Sequence, residues 1–350
     1  MITTPTAEEQ LSFLNKIQRL FNESDFSSTY KYALLISLAD LAVEHGKDND
    51  SPLELTNRQI AERFIELYWQ QSAPYGSKEQ SSNGILFQNN GAQAAIVKAI
   101  QEFRLSNNFN SPESARFSPI YKALVTKVSS TVAAQPIAYL QNIGGDSLPF
   151  LYERSTGSLT LKEGVAYCLR QFQPLIQQLA RNRWADFIKR NGKNITILGE
   201  RDDLERFLFE TSRKTLAIVG QNLKKLYGAK CFYCKKNLAQ TDVDHFIPFS
   251  LYPRDLMHNF VLACPNCNRS KSNSLAAINH LQNWAEMSNK HSDAIIEIGG
   301  LAGVSTSLDT SMSIAQWGYE LNIQGGGMGW IRPNEYEPMS KLYLHCLSKR

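Results

Sequence analysis

Four of the six cysteines occur as two closely spaced pairs, and this pattern constrains the fold more than any other feature of the chain. Cys231 and Cys234 form one Cys-x2-Cys knuckle, and Cys264 and Cys267 form a second one. Two such pairs supply four thiolates, which suit the tetrahedral coordination of Zn²⁺. The pairs lie 30 positions apart, far enough to enclose a small folded insert. We therefore predict one structural zinc ion per chain, and the alternative is a set of four unrelated buried thiols.

The remaining cysteines and the hydropathy indicate a cytoplasmic protein. Cys168 and Cys346 have no partner at metal-ligand spacing and are expected to be ordinary buried thiols. Six cysteines in 350 residues are too few for a disulfide scaffold, so a reducing compartment is expected. The mean hydropathy is -0.32, no 18-residue apolar run occurs, and the first residues lack the pattern of a secretory signal.

The segment between and after the knuckles predicts a strand, a loop, a second strand and a helix. Residues 241–248 alternate apolar and polar side chains and then break at a proline, as a short strand followed by a loop does. Residues 258–263 are typical of a second strand. The chain after Cys267 continues into a helical pattern of apolar residues at Leu275, Ile278 and Leu281.

Three polar motifs within this segment resemble those of the HNH endonucleases, a family with a ββα-metal fold. The motifs are Asp244-His245, then Asn259, then Cys267-Asn268-x-x-Lys271. The zinc-knuckle subgroup of that family likewise has two cysteine pairs around its catalytic hairpin. Residues 242–248 are also similar to the HNH domain of RNA-guided CRISPR effector nucleases, which are far longer and generally lack these knuckles. The resemblance covers about 45 to 55 residues.

The resemblance implies a role for each of these side chains. His245 is the expected general base, because imidazole titrates near neutral pH. Asp244 and Asn268 offer the hard oxygen ligands that Mg²⁺ or Mn²⁺ prefers, and asparagine stands here where the family usually has histidine. An irregular strand end in the family lets the aspartate reach the metal while the histidine faces water. Asn259 is expected to hold the histidine loop in place.

Other polar residues near the motif leave alternatives open. The resemblance implies that Lys271 and Arg269, at most one helical turn beyond the last motif asparagine, bind substrate phosphate. Asp242 is either a second acidic contact or, as strand alternation favours, a solvated residue. His258 either touches the active site or, as its place on a strand favours, faces away from it. His45, His280, His291 and His345 have no motif partners, and we assign them no role.

The net charge of +4 conceals an uneven distribution. Residues 181–275 carry 17 Lys and Arg against 9 Asp and Glu, whereas the rest of the chain carries 20 against 24. Residues 181–230 alone have 12 basic and 6 acidic residues and lead directly into the first knuckle. Such a region predicts a polyanionic partner, most simply a DNA duplex cradled beside the nuclease. The alternative is a set of solvated helix faces.

The remainder of the chain is mainly helical in pattern. Thr56 is expected to cap one helix, Gly46 and Gly228 are expected to end two others, and residues 72–90 and the glycine run 325–327 are expected to be loops. A small hairpin is predicted for residues 150–154 and 158–161. The other helices are predicted for residues 11–21, 30–45, 58–70, 92–103, 119–139, 162–189, 202–209 and 213–227.

These patterns together predict a mainly α protein with a small α+β module. The expected domains are a helical domain of unknown role at 1–195, a ββα-metal nuclease domain at 196–300 with its core at 231–275, and a C-terminal extension at 301–350. We expect a metal-dependent DNA endonuclease, with a homo-oligomer or a protein of a restriction or anti-phage system as a further partner, and no association with membranes. The alternatives are a zinc-stabilised nucleic-acid-binding module without catalysis, and an RNA-cleaving nuclease.

Overall fold

The chain divides into two compact units, which the computed structural model describes over residues 3–76, 84–200 and 202–347. The first unit extends to Phe209 and the second begins at Glu210. The predicted boundary at residue 195 differs from this because Leu204 and Leu208 are buried in the core of the first unit. Residues 301–347 fold as part of the second unit rather than as a separate extension.

The first unit is built mainly from helices. In chain order its elements are α1 (Ala7–Glu23), α2 (Tyr30–His45), β1 (Leu53–Thr56), α3 (Asn57–Trp69), α4 (Ala95–Asn107), α5 (Pro112–Ala115), α6 (Pro119–Ala134), α7 (Pro136–Tyr139), β2 (Asn142–Ile143), β3 (Asp146–Ser147), β4 (Tyr152–Ser155), β5 (Ser158–Leu161), α8 (Val165–Gln171), α9 (Gln173–Arg190), α10 (Ile195–Leu198) and α11 (Leu204–Phe209). Short 3₁₀ helices occupy Gln70–Ser72 and Gly192–Asn194.

Local sequence signals explain where several of these helices begin and end. The Thr56 hydroxyl accepts a hydrogen bond from the backbone of Gln59, and this confirms the predicted cap of α3. Gly46 follows the last residue of α2, as predicted. The helices predicted for residues 119–139 and 162–189 are each divided in two, near Pro136 and Pro174. Proline lacks the N–H that a continuous helix requires, so each of these two breaks has a local cause.

The predicted hairpin is confirmed, and it gains a third strand that the sequence did not reveal. Strands β4 and β5 pair antiparallel, and β1 pairs with the other edge of β5 in the register Leu55↔Leu159. Part of the predicted loop over residues 72–90 lies outside the described residues. Its described C-terminal part contributes Gln88, whose buried side-chain amide donates to Gln71 and accepts from Trp184.

The second unit contains the two knuckles. Its elements are α12 (Arg213–Tyr227), β6 (Asp242–His245), β7 (Phe260–Ala263), α13 (Pro265–Lys271), α14 (Ile278–Lys290), α15 (Ser292–Ala302), α16 (Leu308–Gln324), β8 (Met328–Arg332), β9 (Glu335–Pro338) and α17 (Leu342–His345), with a 3₁₀ helix at Met257–Asn259. Gly228 ends α12 as predicted, with a φ of 75°.

The C-terminal tail packs against the first knuckle and the chain after α13 instead of forming an independent segment. The glycine run is a turn that leads from α16 into β8, and β8 pairs with β9. Trp330 of β8 is fully buried, and its indole contacts the ring of Tyr233 in the first knuckle at a centroid distance of 5.2 Å. Its backbone N–H donates to Leu275 and its carbonyl accepts from Ala277, so β8 is fixed to the chain just after α13.

The fold class is the predicted one. The chain is 58% helical with small sheets, so it is a mainly α protein with a small α+β module at its C-terminal side. Across the described residues, no helix combines the length and apolar character that crossing a membrane requires.

Candidate active site and metal centre

The four knuckle cysteines converge on one point. Their sulfur atoms all lie within 4.8 Å of one another, and the Sγ atoms of Cys234 and Cys264 are 4.0 Å apart. Zinc–sulfur bonds of about 2.3 Å in a tetrahedron place the sulfurs about 3.8 Å apart, so the donor set fits Zn²⁺. The backbone N–H of Phe232 donates to Leu262 of β7, which ties the first knuckle to the hairpin. The cluster could therefore hold the predicted zinc ion.

The other two cysteines lie away from this cluster. Cys168 is buried in the first unit, and burial raises the pKa of its thiol to about 11. Such a thiol is unreactive at neutral pH. Cys346 is half-buried rather than buried, and its thiol donates to the carbonyl of Leu342.

The segment between the knuckles forms the expected two-stranded hairpin followed by a helix. Strand β6 pairs antiparallel with β7, with Asp244 opposite Val261 and His245 opposite Phe260. The pairing stays regular through His245, so the irregular strand end implied by the resemblance begins only after it. Side chains of successive strand residues point to opposite sides. Asp244 therefore points away from His245, toward α13.

A buried network holds the Asp244 carboxylate. Its Oδ2 atom accepts a hydrogen bond of 2.6 Å from the Tyr233 hydroxyl and lies 3.2 Å from Nζ of Lys271. Asp244 is 7% exposed and Lys271 is completely buried. Both contacts involve the same oxygen of the carboxylate, which leaves the other oxygen available for a ligand.

The position of Lys271 contradicts the expectation that it binds phosphate. Its Nζ also donates to the backbone carbonyl of His245 at 2.8 Å, so the ammonium group is used inside the protein. Burial lowers the pKa of Lys271, and the adjacent Asp244 carboxylate opposes this shift. The prediction failed because helix α13 packs its Lys271 face directly against β6. Arg269, on the opposite face, is exposed and donates to the carbonyl of Pro265.

Asn268 faces the same side of β6 as Asp244. Its Nδ2 donates to Oδ2 of Asp242 at 3.0 Å. Asp242 is half-buried by this contact, so the structure favours the acidic-contact alternative over a fully solvated strand residue. Because the amide nitrogen is engaged, the carbonyl oxygen of Asn268 is the atom left to coordinate a cation. The two hard oxygen donors, from Asp244 and Asn268, fit Mg²⁺ or Mn²⁺.

His245 lies on the other side of β6, in a mixed aromatic and acidic setting. Its Nε2 is hydrogen-bonded to Oδ1 of Asp255. The rings of Phe249 and Phe260 flank the imidazole at centroid distances of 5.3 and 4.8 Å. Helix α12 covers this side at Gly220, where a Cβ atom would lie only 3.1 Å from Cγ2 of Val243. Asp255 lies in the loop between β6 and the 3₁₀ helix at Met257–Asn259, and no sequence motif predicted a role for it.

Asn259 clamps the backbone that follows the histidine. Its Oδ1 accepts from the N–H of Ile247 at 2.7 Å, and its Nδ2 donates to the carbonyl of Ile247 at 2.9 Å. The backbone carbonyl of Asn259 also accepts from the N–H of Phe246 at 2.7 Å. A residue that holds the histidine loop in place requires contacts of this kind.

His258 does not contact these side chains. It is 1% exposed, and its Nε2 lies 3.4 Å from the Ser292 hydroxyl on α15. Burial lowers the pKa of His258 to about 4, so this histidine is neutral at physiological pH. The structure therefore favours the interpretation in which His258 faces away from the site.

The basic residues are distributed over both units. Lys189 and Arg190 end helix α9 of the first unit, whereas Lys224 and Lys225 are exposed in the last turn of α12 in the second. Within the second unit, exposed basic residues therefore lie on α12, just before the first knuckle in the chain.

Two family models match the chain. Residues 231–274 match the family model described as HNH endonuclease, so this segment is an HNH endonuclease domain. Residues 10–208, more than half of the chain, match a second family model. The chain belongs to that family, which is described as a domain of unknown function (DUF8808). No curated protein and no solved structure matches the chain.

Proposed function

We propose that this protein is a metal-dependent endonuclease that hydrolyses phosphodiester bonds in DNA. The observation that carries the proposal is that each expected reactive side chain in the HNH domain has its own supporting partner. Asp244 is held by Tyr233 and Lys271, and Asn268 is held by Asp242. His245 is hydrogen-bonded to Asp255. A domain that served only as a scaffold would have no need of this polar arrangement.

His245 would act as the general base. Hydrolysis of a phosphodiester requires a water molecule to lose a proton as it attacks phosphorus. The imidazole is partly exposed, with 22% of its side-chain surface accessible, so a water molecule can reach it. A neutral imidazole is a competent base near pH 7.

Asp244 and Asn268 would hold the divalent ion, Mg²⁺ or Mn²⁺, on the opposite side of β6. The bound ion would polarise the scissile phosphate and stabilise the leaving oxygen. In phosphoryl transfer the attacking and leaving oxygens lie roughly in line through phosphorus. His245 and the proposed ion site lie on opposite sides of β6. A phosphate bound at the end of this strand would have the base on one side and the ion on the other, as an in-line arrangement requires.

The partner is inferred to be double-stranded DNA, and the setting the cytoplasm. Exposed Arg269, Lys224 and Lys225 would contact phosphate without reading sequence. A reducing compartment such as the cytoplasm keeps the four knuckle thiols free to bind zinc. The resemblance to stand-alone HNH proteins, which often occur in microbial defence, supports a role in restriction or anti-phage systems. In that setting the first unit would recognise DNA, mediate dimerisation or contact a partner protein.

The test is incubation of the purified protein with supercoiled plasmid and, separately, with structured RNA, in Mg²⁺ and in EDTA. We expect Mg²⁺-dependent nicking or linearisation of the plasmid by the wild type and none by His245→Ala. Equal inertness of both proteins would favour a zinc-stabilised binding module without catalysis. Faster cleavage of the RNA than of the plasmid would indicate that RNA, rather than DNA, is the substrate.

A further inference from the structure

The contact between His245 and Asp255 joins two residues ten positions apart across the loop that follows β6. Both are largely buried, with 22% and 12% of their side-chain surfaces exposed. Thr211, just before α12, also lies close enough to the Asp255 carboxylate to lower its pKa. The Asp255 carboxylate therefore lies between the imidazole of His245 and the chain just before α12.

We propose that Asp255 is a positioning residue for the reaction, which fixes the His245 ring with Nε2 protonated and Nδ1 free to accept the proton of the attacking water. The inference rests on the proposed function, because it assigns His245 the role of base. Nothing in the sequence motif or in the family matches assigns a role to Asp255.

The backbone and the flanking rings restrict His245 but leave one choice open. The backbone is fixed by the strand pair with Phe260 and by the hydrogen bond from Lys271. The rings of Phe249 and Phe260 limit the plane of the imidazole. These apolar contacts are nearly the same if the imidazole rotates by 180° about its bond to Cβ. They therefore do not determine the directions in which Nδ1 and Nε2 point. Only a polar partner can make that selection.

Asp255 makes the selection because an ionised carboxylate accepts hydrogen bonds and donates none. Burial raises the pKa of the Asp255 carboxyl, but the interactions with His245 and Thr211 outweigh burial and hold the pKa below its usual range. The nitrogen that faces Asp255 must therefore carry the hydrogen. The other nitrogen, Nδ1, has the lone pair that a general base needs.

The substitution Asp255→Asn tests this role while preserving shape. An asparagine has a single acceptor oxygen, and its amide group would have to face either Thr211 or His245 as a donor. With its oxygen toward His245, asparagine is a neutral and weaker acceptor; with its amide toward His245, it donates to Nε2 and favours the opposite tautomer. In either arrangement the selection of the tautomer weakens. Glu297→Gln, on an exposed position of α15, is the control that removes one negative charge elsewhere in the same unit.

The assay is the single-turnover cleavage rate of a labelled DNA duplex at saturating protein, together with the Kd for the duplex. We expect Asp255→Asn to lower the rate about 100-fold with Kd unchanged within about twofold, and Glu297→Gln to match the wild type. Because Asp255 acts through His245, the double variant His245→Ala/Asp255→Asn should cleave at the same residual rate as His245→Ala. Equal zinc content and equal melting temperatures would verify that the variants are folded.

Two results would overturn the proposal. One is a wild-type rate in Asp255→Asn. The other is a further loss of rate by Asp255→Asn in the His245→Ala background, since a residue that acts through His245 has no effect without it. A structural role would produce such additive losses.

A second readout separates this inference from the proposed function. The ¹⁵N NMR shifts of the His245 ring report which nitrogen carries the hydrogen, and they require no cleavage. If the wild type cleaves nothing, the proposed function fails, and the spectrum alone decides the positioning contact. A single Nε2-protonated form that becomes mixed in Asp255→Asn supports the contact, whereas the same spectrum in both proteins refutes it.

Discussion

Replacement of Lys271 by methionine should destabilise the second unit more than most single substitutions would. Lys271 is completely buried, donates to the backbone carbonyl of His245 and pairs with Asp244. Methionine keeps most of the aliphatic stem but leaves the Asp244 carboxylate without its cation and a buried carbonyl without this donor. Breaking a buried ion pair by removing one partner costs about 3–5 kcal/mol.

The magnitude translates into a large thermal shift. For a unit of this size each kcal/mol changes the melting temperature by about 3 °C, so Lys271→Met should lower it by about 10 °C. The measurement is calorimetric or urea unfolding of the zinc-saturated protein, with Lys225→Met on the exposed face of α12 as the matched control. A loss below about 1 kcal/mol would show that the ammonium group is solvated and would refute the account of the buried network.

Three further predictions concern the same unit. Tyr233→Phe removes the 2.6 Å hydrogen bond to Asp244 and should cost about 1.5–3 kcal/mol in urea unfolding, whereas Tyr336→Phe on the exposed face of β9 should cost little. Chelation of zinc should abolish the calorimetric transition of the second unit and leave that of the first, and an unchanged trace would refute the zinc site. The pKa of His258 is lowered to about 4 from 6.5, so the unfolded state takes up the proton first as pH falls. The free energy of unfolding should fall by about 2 kcal/mol between pH 7.5 and 5, and less in His258→Gln; equal slopes in the two proteins would contradict this.

The parts of the fold that the sequence predicted are those with local causes. The cysteine pairs, the Thr56 cap and the glycine that ends α12 each act within a few residues of the element they define. The pairing of β1 with β5 joins residues about a hundred positions apart, such as Leu55 and Leu159, and neither strand carries a signal for its partner. The first unit was predicted to end at residue 195 rather than at Phe209. The burial of Leu204 and Leu208 likewise depends on contacts with distant parts of the chain, which have no local signal.

In the candidate site, too, residues in a local motif could be predicted, whereas contacts between distant residues could not. The motif that contains Asp244, His245 and Asn268 could be found from the sequence, and the structure places these residues on β6 and α13; their roles in the reaction stay predictions. Residue type alone could not predict that Lys271 is an internal cation, because its burial depends on which face of α13 packs against β6. Asp255 was missed because its contact with His245 depends on the path of a loop without regular secondary structure.

The central claim is that the HNH domain hydrolyses phosphodiester bonds with His245 as the base. The most direct measurement is the single-turnover rate of duplex DNA cleavage in Mg²⁺ by the wild type and by His245→Ala, both at equal zinc content. We predict a decrease of at least about 100-fold for the variant, the lower range of what a general base contributes. Equal rates for the two proteins would contradict the claim.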